Sequence, residues 1–205
     1  MAILTRISHR SHRVPQRCHR THDRRAICCA LLVMITGCLA GTSVSIAEEP
    51  VPSESQVKAA FLINFPKYAD WPAEAFAGTN SPIVIAVLGE TPVTEEIQKV
   101  IPGRTVNGRK IVLKHLTSGE ESGGCQILFI SAAELRHSPD VLTKLKDASV
   151  LTVGESDDFL ESGGIINLAR RDRKIALEVN LTAAEKARIK VSSKLLNVAS
   201  VVKSK

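Results

Sequence analysis

Apolar runs of strand length alternate with helix-forming stretches along most of this chain, and that pattern specifies an α/β fold: a three-layer α/β/α sandwich around a mixed sheet, in a single domain. Three observations carry this expectation. IVIAVLG (83–89) and QILFIS (126–131) are continuous apolar runs, the pattern of strands covered on both faces. Helical segments separate the early strands, as crossovers between parallel strands require. Later, residues 165–169 and 174–179 read as two strands joined by a tight charged turn. The second alternates apolar with polar residues, so one of its faces meets water, as in an antiparallel edge hairpin.

The chain opens differently. Residues 1–25 hold seven arginines and one acid, Asp23, and AICCALLVMITGCL (26–39) follows without a charge. A basic segment before a short apolar run is the layout of an export signal. A permanent span needs about 20 apolar residues, so this run is short for an anchor. Ser45-Ile46-Ala47 offers the small-x-small cleavage pattern, which makes residues 1–47 the export signal and 48–55 a Pro/Ser/Glu-rich tether to the domain, residues 56–205. Ile35-Thr36-Gly37-Cys38 also fits a lipobox, and processing there would leave Cys38 as a lipidated N-terminus. The expected location is the bacterial periplasm, either soluble or lipid-anchored.

In the domain, Ser53 or Ser55 caps a helix whose apolar residues are Val57, Ala60, Phe61, Ile63 (or Asn64) and Tyr68, with Glu54 in the first turn where the helix dipole favours an acid. Pro66 ends or kinks it near Phe65, and Trp71-Pro72 closes the segment. After the strand ended by Gly89, residues 91–101 form a helix with Pro92 in its first turn. Asn107-Gly108 is a tight-turn signal leading into the strand KIVLKHL. Residues 117–124 make an exposed loop, 139–146 a short helix after QILFIS, and 150–153 a third buried strand ended by Gly154. Residues 157–161 give one helical turn stopped by Gly163-Gly164. Beyond the hairpin, Thr182 begins a short helix, 189–192 form a last strand and 194–202 a last helix.

Charge and cysteine usage exclude several functions. The leader takes seven of the 27 basic residues and one of the 21 acidic ones, so basic and acidic residues balance in the remainder. A protein that tracks phosphates keeps a basic footprint in its folded part, and nucleic acid is therefore excluded as a partner. Four of the 5 cysteines, Cys18, Cys28, Cys29 and Cys38, lie in the leader. Cys125 alone can form neither an internal disulfide nor a thiolate metal site, and within CQILFIS it reads as a small buried hydrophobe.

No catalytic constellation stands out. Gly89-Glu90-Thr91-Pro92 follows a buried strand without GxGxxG or GxxxxGK[ST], and Gly123-Gly124 and Gly163-Gly164 precede strands, the wrong side for a phosphate cradle. His115 and His137 are far apart, and Ser131 has no GxSxG around it. No metal, cofactor or catalytic residue is expected. Glu155, Asp157 and Asp158 follow a strand, where α/β sheets often place ligand sites, and also suit a helix N-terminus. Asn167 and Asn180 flank the hairpin, whose turn holds Arg170, Arg171, Arg173 and Lys174. Such a tip suits an acidic partner, or serves as a solvated turn that blunts an edge strand.

Seven segments in order resemble the YfiR family of periplasmic proteins: VKAAFLINFPKYADWP (57–72), IVIAVLGETP (83–92), TVNGRKIVLKHL (105–116), CQILFIS (125–131), SVLTVGES (149–156), GGIINL (163–168) and KIALEVNLTAAEKARIKVSSKLLNVA (174–199). The resemblance implies a regulator: a repressor that binds the periplasmic sensor domain of a membrane diguanylate cyclase, lowers cyclic-di-GMP and biofilm formation, and tends to dimerise. The disulfide switch of some members is not carried over, because the paired cysteines are absent here. Tyr68 and Trp71 are the first partner-binding candidates, since large aromatics dominate interface energetics. Asn167, Lys174, Glu178 and Asn180 follow as surface candidates. The alternative is a non-catalytic sensor that binds a small ligand at the strand ends near Gly89 and Gly154.

Overall fold

The computed structural model describes residues 51–118, 123–172 and 174–202. The described residues all belong to one compact unit. The expected export signal, its cleavage site and Cys38 lie outside the described residues.

The first helix, α1 (Glu54–Asn64), begins at Ser53, whose hydroxyl accepts from Gln56 N while the Gln56 side chain accepts from Ser53 N. This reciprocal capping box satisfies two backbone donors the helix cannot pair itself. Pro66 then tightens the chain into a 3-10 turn (Phe65–Lys67), because a proline cannot continue the α-helical ladder. The short strand β1 (Ala69–Asp70) leads to a 3-10 turn (Ala73–Ala75) and to β2 (Ile83–Leu88). Helix α2 (Pro92–Val100), capped by Thr91, precedes β3 (Thr105–Val106), a turn with left-handed Asn107 and Gly108, and β4 (Arg109–Leu116). Next come β5 (Ile127–Ile130), α3 (Ala132–His137), α4 (Val141–Leu145), β6 (Leu151–Gly154), β7 (Ile166–Arg171) and β8 (Lys174–Asn180). Helix α5 (Leu181–Lys186), β9 (Lys190–Val191), α6 (Ser193–Leu196) and β10 (Ser200–Val202) complete the chain.

One sheet runs β10-β8-β7-β6-β5-β2-β4-β3, and β1 pairs with β9 in a second, two-stranded sheet. Strands β4, β2, β5, β6 and β7 are parallel, whereas β8 is antiparallel to β7, so the sheet is mixed as expected. Alternate residues sort the central strands onto two faces. Ile85, Val87, Ile127, Phe129, Leu151 and Val153 pack with Ala59 and Leu62 of α1 and Val93 and Ile97 of α2. Ala86, Leu88, Leu128 and Ile130 face Leu135 of α3, Leu142 of α4 and Phe159. These are the three layers.

Three expectations need correction. Residues 132–137 are helical, with Ser131 as the cap, although no helix is expected before 139. Strand β8 is not an edge, because β10 pairs beside it in parallel. That strand comes from the segment expected to be helical to residue 202. The helix ends at Leu196, and β-branched Val201 and Val202 suit a strand better than a helix.

Candidate functional site

The strand ends where an α/β sheet would hold a ligand are occupied by the protein's own side chains. A Cβ on either Gly154 or Gly164 would overlap the Phe159 ring, so the two glycines clamp that ring between them. At Gly89, with a φ of +83° that favours glycine, an added Cβ would lie 2.9 Å from Glu134 Oε2. Glu155, just past β6, accepts from Ala132 N at 3.1 Å, which satisfies a donor at the start of α3.

Its other oxygen meets Lys58. Only 6% exposed, Lys58 donates to Glu155 Oε2 and Glu54 Oε1, each at 2.6 Å. Burial alone would lower the Lys58 pKa, but hydrogen bonds and charge attraction from the two glutamates outweigh it and the net shift is upward. Glu54 is held below its ordinary value, first by the Lys58 hydrogen bond, against a smaller opposing effect of burial. Its second oxygen accepts from Arg170 at 3.1 Å. The network ties α1 to the end of β6 and to the hairpin.

The opposite flank of α1 is open. Val57, Ala60, Phe61, Phe65 and Tyr68, together with Leu195 and Val198, line a groove of about 640 Å³. The Phe61 and Phe65 rings stack at 6.0 Å. Val198 is 71% exposed on the rim. Pro52 and Val57 also line an adjoining hollow with Arg170, Lys174 and Ile175, so an apolar track runs from the hairpin tip along α1 to α6. Lys174 at one end and Lys194 at the other are exposed and have no ion pair among the described residues, while Glu54 is committed to Lys58 and Arg170.

Of the residues expected to bind a partner, Tyr68 and Lys174 therefore lie on one track. Trp71 does not: half-buried, it donates from Nε1 to Gln126 O at 3.0 Å and holds the segment after α1 at the start of β5. Asn167 and Asn180 are corrected from surface to core, at 0% and 2% exposed. Asn167 faces away from α1 and donates to Glu178 Oε2, whose other oxygen accepts from Arg171. Asn180 caps α5 by accepting from Ala183 N and donates to Leu160 O. The Asn180 amide is thus paired through both its nitrogen and its oxygen, whereas the Asn167 amide oxygen is buried without a hydrogen-bond partner among the described residues. Cys125 is buried, and burial pushes its thiol up to about 11. His115 and His137 each bond a backbone carbonyl, of Gly89 and Ala133. Among the described residues no group of His, Cys, Asp and Glu could hold a metal, and no helix is long and apolar enough to cross a membrane.

Apart from Tyr68, the groove residues are not among the partner-binding candidates the sequence suggests, although their signal is visible. In VKAAFLINF the apolar residues go almost all the way round the helix, more than one core-facing stripe needs. Ala59, Leu62 and Ile63 take the core, which leaves Val57, Ala60 and Phe61 for a second apolar flank. Lys58 sits inside that run four residues from Glu54, the spacing of a helical ion pair.

Fold and site together define a three-layer α/β domain that fills its own strand-end crevices and keeps an open apolar groove along its first helix. The sequence model of the YfiR/HmsC-like family matches residues 55–200, and the chain belongs to that family. No curated protein matches it. Among solved structures, an ABC domain in complex with L-Trp from Streptococcus pneumonia is 10% identical with a TM-score of 0.47, covering 72% of this chain and 60% of that one. A conserved domain protein from Vibrio cholerae O1 biovar eltor is 14% identical with a TM-score of 0.48, covering 74% and 60%. The ligand-free, open structure of a substrate-binding protein with adhesive properties from Clostridium difficile is 15% identical with a TM-score of 0.43, covering 64% and 57%. The chain thus spans no more than 60% of the length of any of the three.

Proposed function

We propose that this protein is an exported, non-catalytic regulator that docks on the periplasmic sensor domain of a membrane diguanylate cyclase and holds the enzyme in its low-activity state. Residues 1–47 act as the export leader, or residues up to Cys38 if a lipid anchor is added, and 48–55 tether the domain. Family membership supports the class of function. The observation that carries the docking mode is the apolar track along α1, with Lys174 and Lys194 at its ends and neither in an ion pair among the described residues. Its complement is a segment of the cyclase with apolar anchors and acidic flanks: buried apolar area supplies affinity, and the charges speed encounter and set orientation. Tyr68 contributes an aromatic wall. Trp71, Glu178 and the two buried asparagines act by shaping the domain, and a homodimer would present two such tracks.

Repression then needs no chemistry. Docking shifts the cyclase toward the inactive state by the difference in affinity between its two states, and a free-energy difference of about 1.4 kcal/mol changes that ratio tenfold. The test is genetic and quantitative. Deleting the gene should raise cellular cyclic-di-GMP, wild-type complementation should restore it, and Val198→Asp at equal protein level should not. Unchanged cyclic-di-GMP on deletion would sink the proposal. Full rescue by Val198→Asp would move docking away from the groove.

A further inference from the structure

We propose that a second hollow, at the other end of β6 from Glu155, binds a small amphiphilic anion, a carboxylate or phosphate carried on an apolar body. It is separate from the docking groove. Strands β6 and β7 pair at two positions only, Val153 with Ile166 and Gly154 with Asn167. Before those positions, in the turn that leads into β7, Gly163 takes a left-handed conformation, φ +97°. Ile165 N donates to the hydroxyl of Thr152 instead of to a strand carbonyl, and Asn180 N donates to Ile165 O. The sheet is therefore splayed at this point, and a hollow of about 290 Å³ opens between the splayed strands, α4 and α5.

Its chemistry is divided. Leu142, Leu145, Val150 and Ile165, all buried, supply apolar walls, which suits the body of a small organic molecule. Thr152, 4% exposed, also lines the hollow, and a hydroxyl that accepts from Ile165 N still has its own hydrogen to donate. Two cations stand at the mouth: Lys146, just past α4, and Lys186, at the end of α5. Both are exposed, and neither has an ion pair among the described residues. Glu161 is on the rim as well, so the three side chains leave one positive charge in excess. Apolar walls, a buried hydroxyl and two uncommitted ammonium groups select an anionic head over a neutral or cationic one. The volume is at the small end of the range for small-molecule sites, about 300 Å³ and upward, which limits the ligand to one ring or a short chain.

The test uses the full-length chain, expressed and purified as its host leaves it, with three probes: phenylacetate, phenyl phosphate and the neutral phenylacetamide. Backbone amide spectra report fold and binding together. Phenylacetate or phenyl phosphate should shift the amides of Gly163, Ile165 and Ala183, and phenylacetamide should bind at least tenfold more weakly. The Lys146→Ala/Lys186→Ala double variant should weaken the anion at least tenfold while its own spectrum stays native. Because both lysines are exposed, that variant does not threaten the core. No shift from either anion in folded protein overturns the site. Equal binding of the amide, or unchanged affinity in the double variant, overturns its assignment to anions.

Discussion

The ends of the parallel strands and the flank of α1 are built from similar materials and reach opposite outcomes. At the strand ends, Gly89 and Gly154 leave room next to the backbone, and Glu134 and Phe159 fill it. Along α1, bulky Phe61, Phe65 and Tyr68 stand around a groove that no described residue fills. Glycine at a strand end is commonly read as space for a ligand, and here it is space for a phenyl ring. The lesson is that cavities follow from what packs across from a residue, and a small residue is as often a socket as a vacancy. Lys58 links the two regions, since its ammonium group seals the strand ends while its helix forms the groove wall.

The sharpest way to break the comparison is to fill the socket. Gly154→Ala would place a methyl group inside the Phe159 ring, and Gly164→Ala would do the same from the other side. Phe159 is fully buried and has no free direction to move. Each variant should lose about 3 kcal/mol, the upper part of the usual range for overpacking, read as a fall in urea midpoint. If Gly154→Ala matches wild type, the strand end is a vacancy after all and the ligand reading near Gly154 revives.

The next effect comes from the link. Lys58→Met keeps the length of the side chain and removes its charge, leaving Glu155 and Glu54 facing each other without a cation. Removing one partner of a fully buried pair costs about 3–5 kcal/mol, but the Glu54 side chain is 38% exposed and solvent screens it. A loss of about 2 kcal/mol is expected. The pH dependence has a definite sign. Glu54 has a lowered pKa in the folded protein, so its share of stability is present above its ordinary 4.5 and disappears as pH falls through the folded value. Lys58 has a raised one, so its share is present below 10.5 and disappears as pH rises through the folded value. The gap between wild type and Lys58→Met should therefore be widest between these two values and narrow at both extremes. A gap that stays constant from acid to alkaline pH would show that Lys58 acts through packing alone.

What could be read from the residues follows the same division. Continuous runs such as IVIAVL and ILFI can be buried on both faces in only one kind of architecture, so the layered α/β fold is legible from them. Capping at Ser53 and the break at Pro66 are local and equally legible. The fate of residues 198–202 is not local. A strand of three residues at the sheet edge needs β8 as its partner, and β-branched Val201 and Val202 are too short a local signal to announce it. Asn167 and Asn180 mislead for a related reason. Polar side chains next to a charged turn look exposed until the cross-strand Glu178 and the α5 backbone are in place to receive them. The groove was half legible, through an α1 too apolar for one interface, but only the position of α6 shows which side stays open.

The smallest effect on stability, and the most telling for the comparison, belongs to the groove rim. Val198 is 71% exposed, so Val198→Asp removes little buried area and adds a solvated charge, and its unfolding free energy should stay within about 0.5 kcal/mol of wild type. That figure contrasts with about 3 kcal/mol for a single methyl group at Gly154. A site kept for a partner is expected to tolerate substitution when the protein is alone, because its apolar atoms are not yet buried against anything. The same substitution places a carboxylate beside Lys194 and the apolar wall, where it competes with an acidic partner and leaves its own charge to be desolvated on docking. Val198→Asp should thus separate folding from function, stable on its own and unable to lower cyclic-di-GMP. A marked loss of stability would instead place Val198 in the domain's own packing, and the open flank of α1 would then be as closed as the strand ends.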